Sequence, residues 1–337
     1  MNKQLRVLIS RPDRIGDVIL STPIPREIKR KYPDSFVALL LRPYTKDIYL
    51  NNPYVDEIIM YDPEDNDVSF IDKIKEIRKF KFTDALMLLP NEKVNYMLFL
   101  AGIRNRIGVG YKFYQFITFC KSVSRHKYIP LRHEADYCMD LARKIGVAAN
   151  NLDTEIHLSE AEKGEVVNIR KALAPDSEIL IGIHSTSGNS APNWKPERYL
   201  ELLHMLKKIN NIKIIVTDNN PPAILDNIDK VAYPNKGKSL RESIMNFAAL
   251  DLLISASTGP MHIAAALKVK TLSIFCPLTS CSPELWGPKG NKSKILLPDE
   301  AKCMESCQDD PKKCQFEGEH NISCERVFNE TVKFILK

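Results

Sequence analysis

Short apolar runs rich in valine, isoleucine and leucine alternate with longer stretches of helical spacing along almost the whole chain, and this alternation restricts the fold more than any other feature. It is the pattern of βαβ units built on a parallel sheet, so the fold class is α/β. One series sets strands near 5–10 (LRVLIS), 36–41 (FVALLL), 56–61 (DEIIMY) and 84–89 (DALMLL), with helices near 17–31, 68–80, 93–102 and 134–146. A second sets strands near 179–184, 212–217, 251–255 and 271–275, with helices near 196–209, 239–249 and 259–267. Two series suit the length, because 337 residues exceed the ~250–300 at which a single core stops growing. Between them, 147–178 is polar and then helical, as a linker would be. The expected organisation is a Rossmann-like lobe over 1–155, a second over 156–324, and a terminal helix over 325–337 packing back on the first.

A composition of 44% hydrophobic and 27% charged residues excludes wholesale disorder, collagen and coiled coil. No apolar run approaches the ~18–20 residues that cross a bilayer. The first strand is too short for a secretory core and runs straight into Arg11, Asp13 and Arg14, which gives the expectation of a cytoplasmic protein. Of the net charge of +6, +5 lies in 1–155 and +1 in 156–337. The excess gathers in two groups, Lys73, Lys75, Arg78, Lys79 and Lys81, then Arg104, Arg106, Lys112, Lys121, Arg125 and Lys127. Such groups are either solvated faces or seats for nucleic acid, anionic lipid headgroups or a phosphorylated saccharide. No nucleic-acid-binding motif accompanies them, so nucleic acid is not an expected partner.

Ligands of open α/β sheets bind beyond the carboxyl ends of the strands, which directs attention to the loops 11–17, 185–194, 217–222 and 256–262. Neither G-x-G-x-x-G nor a P-loop occurs, nor H-E-x-x-H or G-x-S-x-G, which removes the usual nicotinamide, P-loop, zinc-protease and hydrolase readings. The first loop, S-R-P-D-R-I-G-D-V, puts Asp13 and Asp17 around a glycine-containing turn that opens a helix. Asp17 by a helix N-terminus suits either a cap or a carboxylate held ready to take a proton. In A-S-T-G-P-M-H-I-A-A-A-L, Ser257, Thr258 and the small Gly259 precede a helix with Pro260 in its first turn, which forms either an ordinary N-cap or a phosphate cradle. His262, one turn in, either packs or bonds a phosphate oxygen. The loop H-S-T-S-G-N-S-A-P-N-W-K-P-E-R-Y at 184–199 repeats the arrangement with Thr186 and Ser187; Trp194 there reads best as an anchor for the following helix.

Together these loops resemble glycosyltransferase family 9, the lipopolysaccharide heptosyltransferases and their relatives. The resemblance rests on R-x-D-x-I-G-D-V-x-L-S-T-P at 11–23, the H-x-x-x…W-x-P-E-R-Y segment at 184–199, and S-T-G-P-M-H-I-A-A-A-L with W-G-P-x-G at 257–290. It implies a GT-B fold, two Rossmann-like lobes whose parallel sheets face an interlobe cleft. The N-terminal lobe would bind a lipid-linked saccharide acceptor, with Asp13 and Arg14 near it, and the C-terminal lobe a nucleotide-sugar such as ADP-heptose. Transfer would be inverting, with Asp17 as general base and no metal or cofactor. Thr186, Ser187, Ser257, Thr258, Gly259 and His262 would meet the donor. The chain would work at the inner face of the cytoplasmic membrane. It departs from the family in having Pro192 where many members carry lysine, for which Lys195 is the substitute, and Ser257 where aspartate is common. The loop T-D-N-N-P-P at 217–222 also departs from the family's glycine-rich one. These departures keep two other classes in view, a non-catalytic nucleotide-sugar-binding protein and a GT-B sugar-nucleotide epimerase.

A tail cluster, Cys303, Cys307, Cys314 and Cys324, has the spacing C-x₃-C-x₆-C-x₉-C, which is no standard zinc ribbon. Reduced thiols are the first reading and a structural Zn²⁺ the second.

Overall fold

The computed structural model describes residues 4–62, 69–125, 128–176, 178–299, 301, 303, 313–317 and 322–335. It divides into two units, Met1–His157 and Leu158–Lys337. The first contains β1 (Arg6–Ser10), α1 (Ile15–Ile19), α2 (Pro23–Lys31), β2 (Phe36–Leu41), β3 (Glu57–Met60), α3 (Phe70–Lys79), β4 (Asp84–Met87), α4 (Glu92–Leu100), β5 (Asn105–Val109), α5 (Phe113–Ile117), β6 (Lys121–Val123) and α6 (Glu134–Arg143). Its six strands are parallel in the order β3-β2-β1-β4-β5-β6, the dinucleotide-fold order in which the chain reverses direction between β1 and β4. Leu8, Ala38 and Leu40 face Ile74 and Ile77 of α3 and Met97 and Leu98 of α4. The alternate residues Val7, Ile9, Val37 and Leu39 are equally buried on the opposite face. A sheet covered on both sides produces the continuous apolar strands seen in the sequence.

The second unit contains α7 (Glu160–Leu173), β7 (Ile179–His184), α8 (Pro196–Leu206), β8 (Ile212–Val216), α9 (Leu240–Ala248), β9 (Leu252–Ala256), α10 (Gly259–Ala266), β10 (Lys270–Ile274), α11 (Pro283–Trp286), β11 (Ser293–Leu296) and α12 (Cys324–Ile335). Its parallel sheet runs β11-β10-β9-β7-β8 and reverses between β7 and β9. A capping box starts α7, in which the Ser159 hydroxyl accepts from the Glu162 amide and the Glu162 carboxylate accepts from the Ser159 amide.

Two expectations change. The helix read over 17–31 is two helices, α1 and α2, because Pro23 and Pro25 bring no amide hydrogen to a continuous ladder. The hydroxyls of Ser21 and Thr22 donate back to the carbonyls of Val18 and Ile19 at the break. Strands β5, β6 and β11 are additional; they are three to five residues long and carry Arg106, Gly108 or lysines that hide the apolar pattern. The C-terminal helix has its apolar face within the second unit. Val327, Phe328, Phe334 and Ile335 of α12 join the core of the second unit, where α12 packs beside α8. Its strongly one-sided apolar face makes that burial the favourable outcome.

Candidate active site

In the second unit the loops after β7 and β9 leave neighbouring parallel strands at the same end, His184 lying beside Ser255 in register. This reversal point is where open α/β sheets hold ligands. One wall is the N-terminus of α10. Thr258 stands at the N-cap position with extended backbone, yet its side chain makes no capping bond. The residue is 4% exposed, and its Oγ1 has no hydrogen-bond partner among the described residues. A buried hydroxyl left unmade costs about 1–3 kcal/mol, so the site is built for a group that α10 does not provide. Pro260 removes one amide, and the His262 amide reaches the Thr258 carbonyl at 3.4 Å. The amides of Gly259 and Met261 are therefore those aimed out of the helix end. His262 is itself buried one turn further in.

The other wall is stiffened by Asp218, which the sequence analysis left unassigned. Fully buried just past β8, its carboxylate accepts from the amides of Ser185 (2.9 Å) and Thr186 (2.9 Å) and from the hydroxyls of Ser185 (3.0 Å) and Thr186 (2.7 Å). The Thr186 hydroxyl thus points to Asp218. His184 lies between Thr217 (Nδ1 to Oγ1, 3.1 Å) and Thr186 (Nε2 to Oγ1, 3.3 Å), and burial lowers its pKa in spite of Asp218 3.6 Å away. Ser187 is half-buried and closes a turn through its carbonyl to Ser190. An acidic residue directly after a strand's carboxyl end was the signal that could have found Asp218. Asp218→Ala should strand two amides and two hydroxyls and lower unfolding stability by about 2–3 kcal/mol; chemical denaturation measures it, and an unchanged midpoint would remove Asp218 as a strut.

In the first unit the corresponding reversal lies between β1 and β4. Arg11, 2% exposed, follows β1 and donates to the Leu88 carbonyl across that point at 2.8 Å. Its other nitrogens meet Asp17 at 2.6 Å, Glu134 at 3.2 Å and Asp13 at 3.5 Å. Glu134, 1% exposed in the first turn of α6, also binds Arg125 at 2.8 Å. Asp17 keeps 22% of its side chain exposed and Asp13 19%, so of the three carboxylates around Arg11 these two face solvent while Glu134 is buried. Burial raises the Asp17 pKa, Arg11 opposes this, and the neighbouring Asp13 and Glu134 reinforce it. Arg14 is exposed at the N-cap of α1, and Asp13 accepts from the Arg14 amide at 2.9 Å. Arg11, Glu134 and Arg125 were missed as a set because only the sheet brings residues so distant in sequence together.

Comparison with known proteins gives the family and the fold. Residues 72–315 match the family model described as glycosyltransferase family 9 (heptosyltransferase). The chain belongs to glycosyltransferase family 9. A glycosyltransferase-like protein of Haemophilus influenzae is 24% identical over 305 residues, 86% of this chain and 88% of its own. A family 9 glycosyl transferase of Veillonella parvula superposes with a TM-score of 0.80 at 18% identity, over 100% of this chain and 99% of that one. The Escherichia coli ADP-heptose lipopolysaccharide heptosyltransferase II follows with 0.77 at 18%, over 98% and 99%. The two parallel sheets are those of the GT-B fold shared by these structures.

In this family 9 glycosyltransferase the remaining expected residues separate. Thr186, Ser187, Ser257, Thr258, Gly259 and His262 gather at one end of β7 and β9. Lys195, by contrast, is exposed at the start of α8 and paired with Glu317 at 2.7 Å. Trp194 is a buried anchor that donates to the Ile322 carbonyl and meets Tyr199 edge-on. Pairing and burial thin both basic groups. Lys73 and Lys75 pair with Glu76 and Asp72, Arg106 is buried against the carbonyls of Ile103 and Thr118, and Arg125 belongs to Glu134. Lys127 lies outside the described residues. Of the tail cysteines, Cys303 and Cys324 are buried, Cys314 is half-buried and Cys307 lies outside the described residues. Cys324 donates to Glu201 at 3.1 Å, and burial with that carboxylate pushes its thiol up to about 12, which opposes the thiolate a metal needs. No group of three candidate metal ligands occurs among the described residues. None of the described helices is long and apolar enough to cross a membrane.

Proposed function

We propose that the chain is an inverting transferase that moves a sugar, with ADP-heptose as the first donor to test, onto a hydroxyl of a lipid-linked saccharide. The donor diphosphate would lie against the N-terminus of α10, held by the amides of Gly259 and Met261 and by the Thr258 hydroxyl. Asp17 would take the proton of the acceptor hydroxyl as that oxygen attacks the anomeric carbon. The bond from that carbon to the phosphate oxygen breaks with its electron pair leaving on the nucleoside diphosphate, and configuration inverts. Fixed amides and a helix dipole can stabilise the leaving charge without reorganising, so the step as written calls on no metal. Asp13 and Arg14, on the same loop as Asp17, are proposed for the acceptor, and work at the inner membrane face follows from the acceptor's lipid.

The single observation that carries this reading is the buried, unspent hydroxyl of Thr258 at the head of α10. The likeness to the E. coli ADP-heptose enzyme supports the donor class. The test is release of ADP from ADP-heptose, with and without a lipid-linked saccharide. Thr258→Val should raise KM for the donor about tenfold, the worth of one hydrogen bond to a charged group. Because valine removes an unmade hydroxyl at equal volume, folding stability should hold or rise by up to ~1 kcal/mol. Donor turnover without acceptor, or none at all, would favour the epimerase or the non-catalytic binder.

A further inference from the structure

One surface of the first unit is unlike the rest. Around α5 five apolar side chains stand in solvent, Tyr111, Phe113, Phe116 and Phe119 at 78–83% exposure and Ile117 at 42%. Helices of soluble domains turn such residues inward, whereas α5 turns its polar ones inward. Gln115 is buried and donates to the Val109 carbonyl at 3.1 Å while accepting from the Lys112 amide at 2.9 Å. Thr118, also buried, meets Asn95 at 2.8 Å, and its carbonyl accepts from Arg106. At Gly108 a Cβ would sit 2.6 Å from Gln115 Nε2, so even the strand beneath is shaped to admit the amide. These anchors fix the rotation of α5 and with it the outward aim of Phe113, Phe116 and Ile117. Phe119 adds a second sign, because it takes the left-handed φ of 54° while 83% exposed. Neither packing nor that backbone calls for a phenylalanine there.

The charge of the region identifies what covers this face. No aspartate or glutamate occurs between Glu92 and Glu134. Arg104, Lys112 and Lys121 are exposed around α5 and enter no ion pair among the described residues. Aromatic side chains interleaved with unpaired cations match the interface of an anionic bilayer, where rings settle at headgroup depth and lysines meet phosphates. Tyr111 and Lys112 also follow the carboxyl end of β5, the edge of the same parallel sheet from which the Asp17 loop departs.

We infer that the α5 face, Tyr111 to Lys121, docks this enzyme on an anionic lipid surface and so presents the first unit to membrane-held acceptor. The inference rests on the proposed lipid-linked acceptor but is tested without it. Sedimentation of the full chain, with no donor or acceptor, is compared with vesicles of equal parts phosphatidylcholine and phosphatidylglycerol and with vesicles of phosphatidylcholine alone. The native protein should bind the anionic vesicles at least tenfold more tightly than the neutral ones. The triple variant Phe113→Ser, Phe116→Ser, Phe119→Ser should lose on the order of a hundredfold in that binding. Its circular dichroism and its transfer to a detergent-free, soluble acceptor fragment should stay native, since these side chains hold nothing in place. Equal vesicle binding by native and variant protein, or none by either, overturns the inference. So does light scattering that shows a native dimer which the variant reduces to a monomer, because a second copy would then cover the face. An inactive protein that still binds vesicles overturns the proposed reaction and leaves the docking face standing.

Discussion

Asp17→Asn should lower kcat for sugar transfer about 10²–10⁴-fold, the usual worth of a positioned general base. Asparagine keeps an oxygen for Arg11, and Arg11 keeps Glu134 and the Leu88 carbonyl, so the loop should hold its shape and thermal unfolding should change little. Donor binding, which we propose for the second unit, should be unaffected. The pH profile supplies an independent check. A base works when deprotonated, so kcat/KM rises with pH through its pKa and then levels. Burial raises that pKa, with Arg11 pulling the other way, so the acid limb should lie above the ~3.9 of an unperturbed aspartate. The limb should vanish in the residual activity of the variant. Near-native turnover by Asp17→Asn would remove this residue from the chemistry.

Glu134→Gln should be the most destabilising of the single changes considered, by about 3–5 kcal/mol, because it takes from two largely buried guanidiniums, Arg11 and Arg125, the carboxylate they share. Glu134 receives Arg11 on one side and Arg125 on the other, and the thiol of Cys138 lies 3.5 Å away. A neutral amide there presents an NH₂ group to guanidiniums that can only donate. Denaturant titration at neutral pH reads the loss. The same variant carries a kinetic signature that a purely structural role would not give. The charge of Glu134 helps to raise the Asp17 pKa, so its removal should move the acid limb of kcat/KM to lower pH. A stable variant with an unmoved limb would show that the network neither holds the loop nor tunes the base.

Parts of this were legible in the residues themselves. The Val/Ile/Leu strands β1, β2, β7 and β9 are buried on both faces, and their continuous apolar runs carry that burial in sequence. The loops after them were legible because ligands gather at the carboxyl ends of parallel strands, and Thr258 and Asp17 both lie there. Strands β5, β6 and β11 were not, since Arg106 in β5 satisfies a tertiary need that no local pattern reveals and lysines interrupt the apolar runs of β6 and β11. Nor was the second basic group, which reads as one cationic surface until Arg106 is found inside the protein and Arg125 beside Glu134. Nor was the partner of Lys195, whose side chain is turned to Glu317.

Sequence by itself determined the class of fold, the two parallel sheets, the family and the loops proposed to bear chemistry, because each depends on residues close together in the chain. Tertiary structure alone decided that Asp17 shares a buried cation with Glu134, that Asp218 braces Ser185 and Thr186, and that α5 buries its glutamine and exposes its phenylalanines. Those outcomes depend on partners up to 123 residues apart, whose meeting is fixed by strand order and register rather than by any local preference.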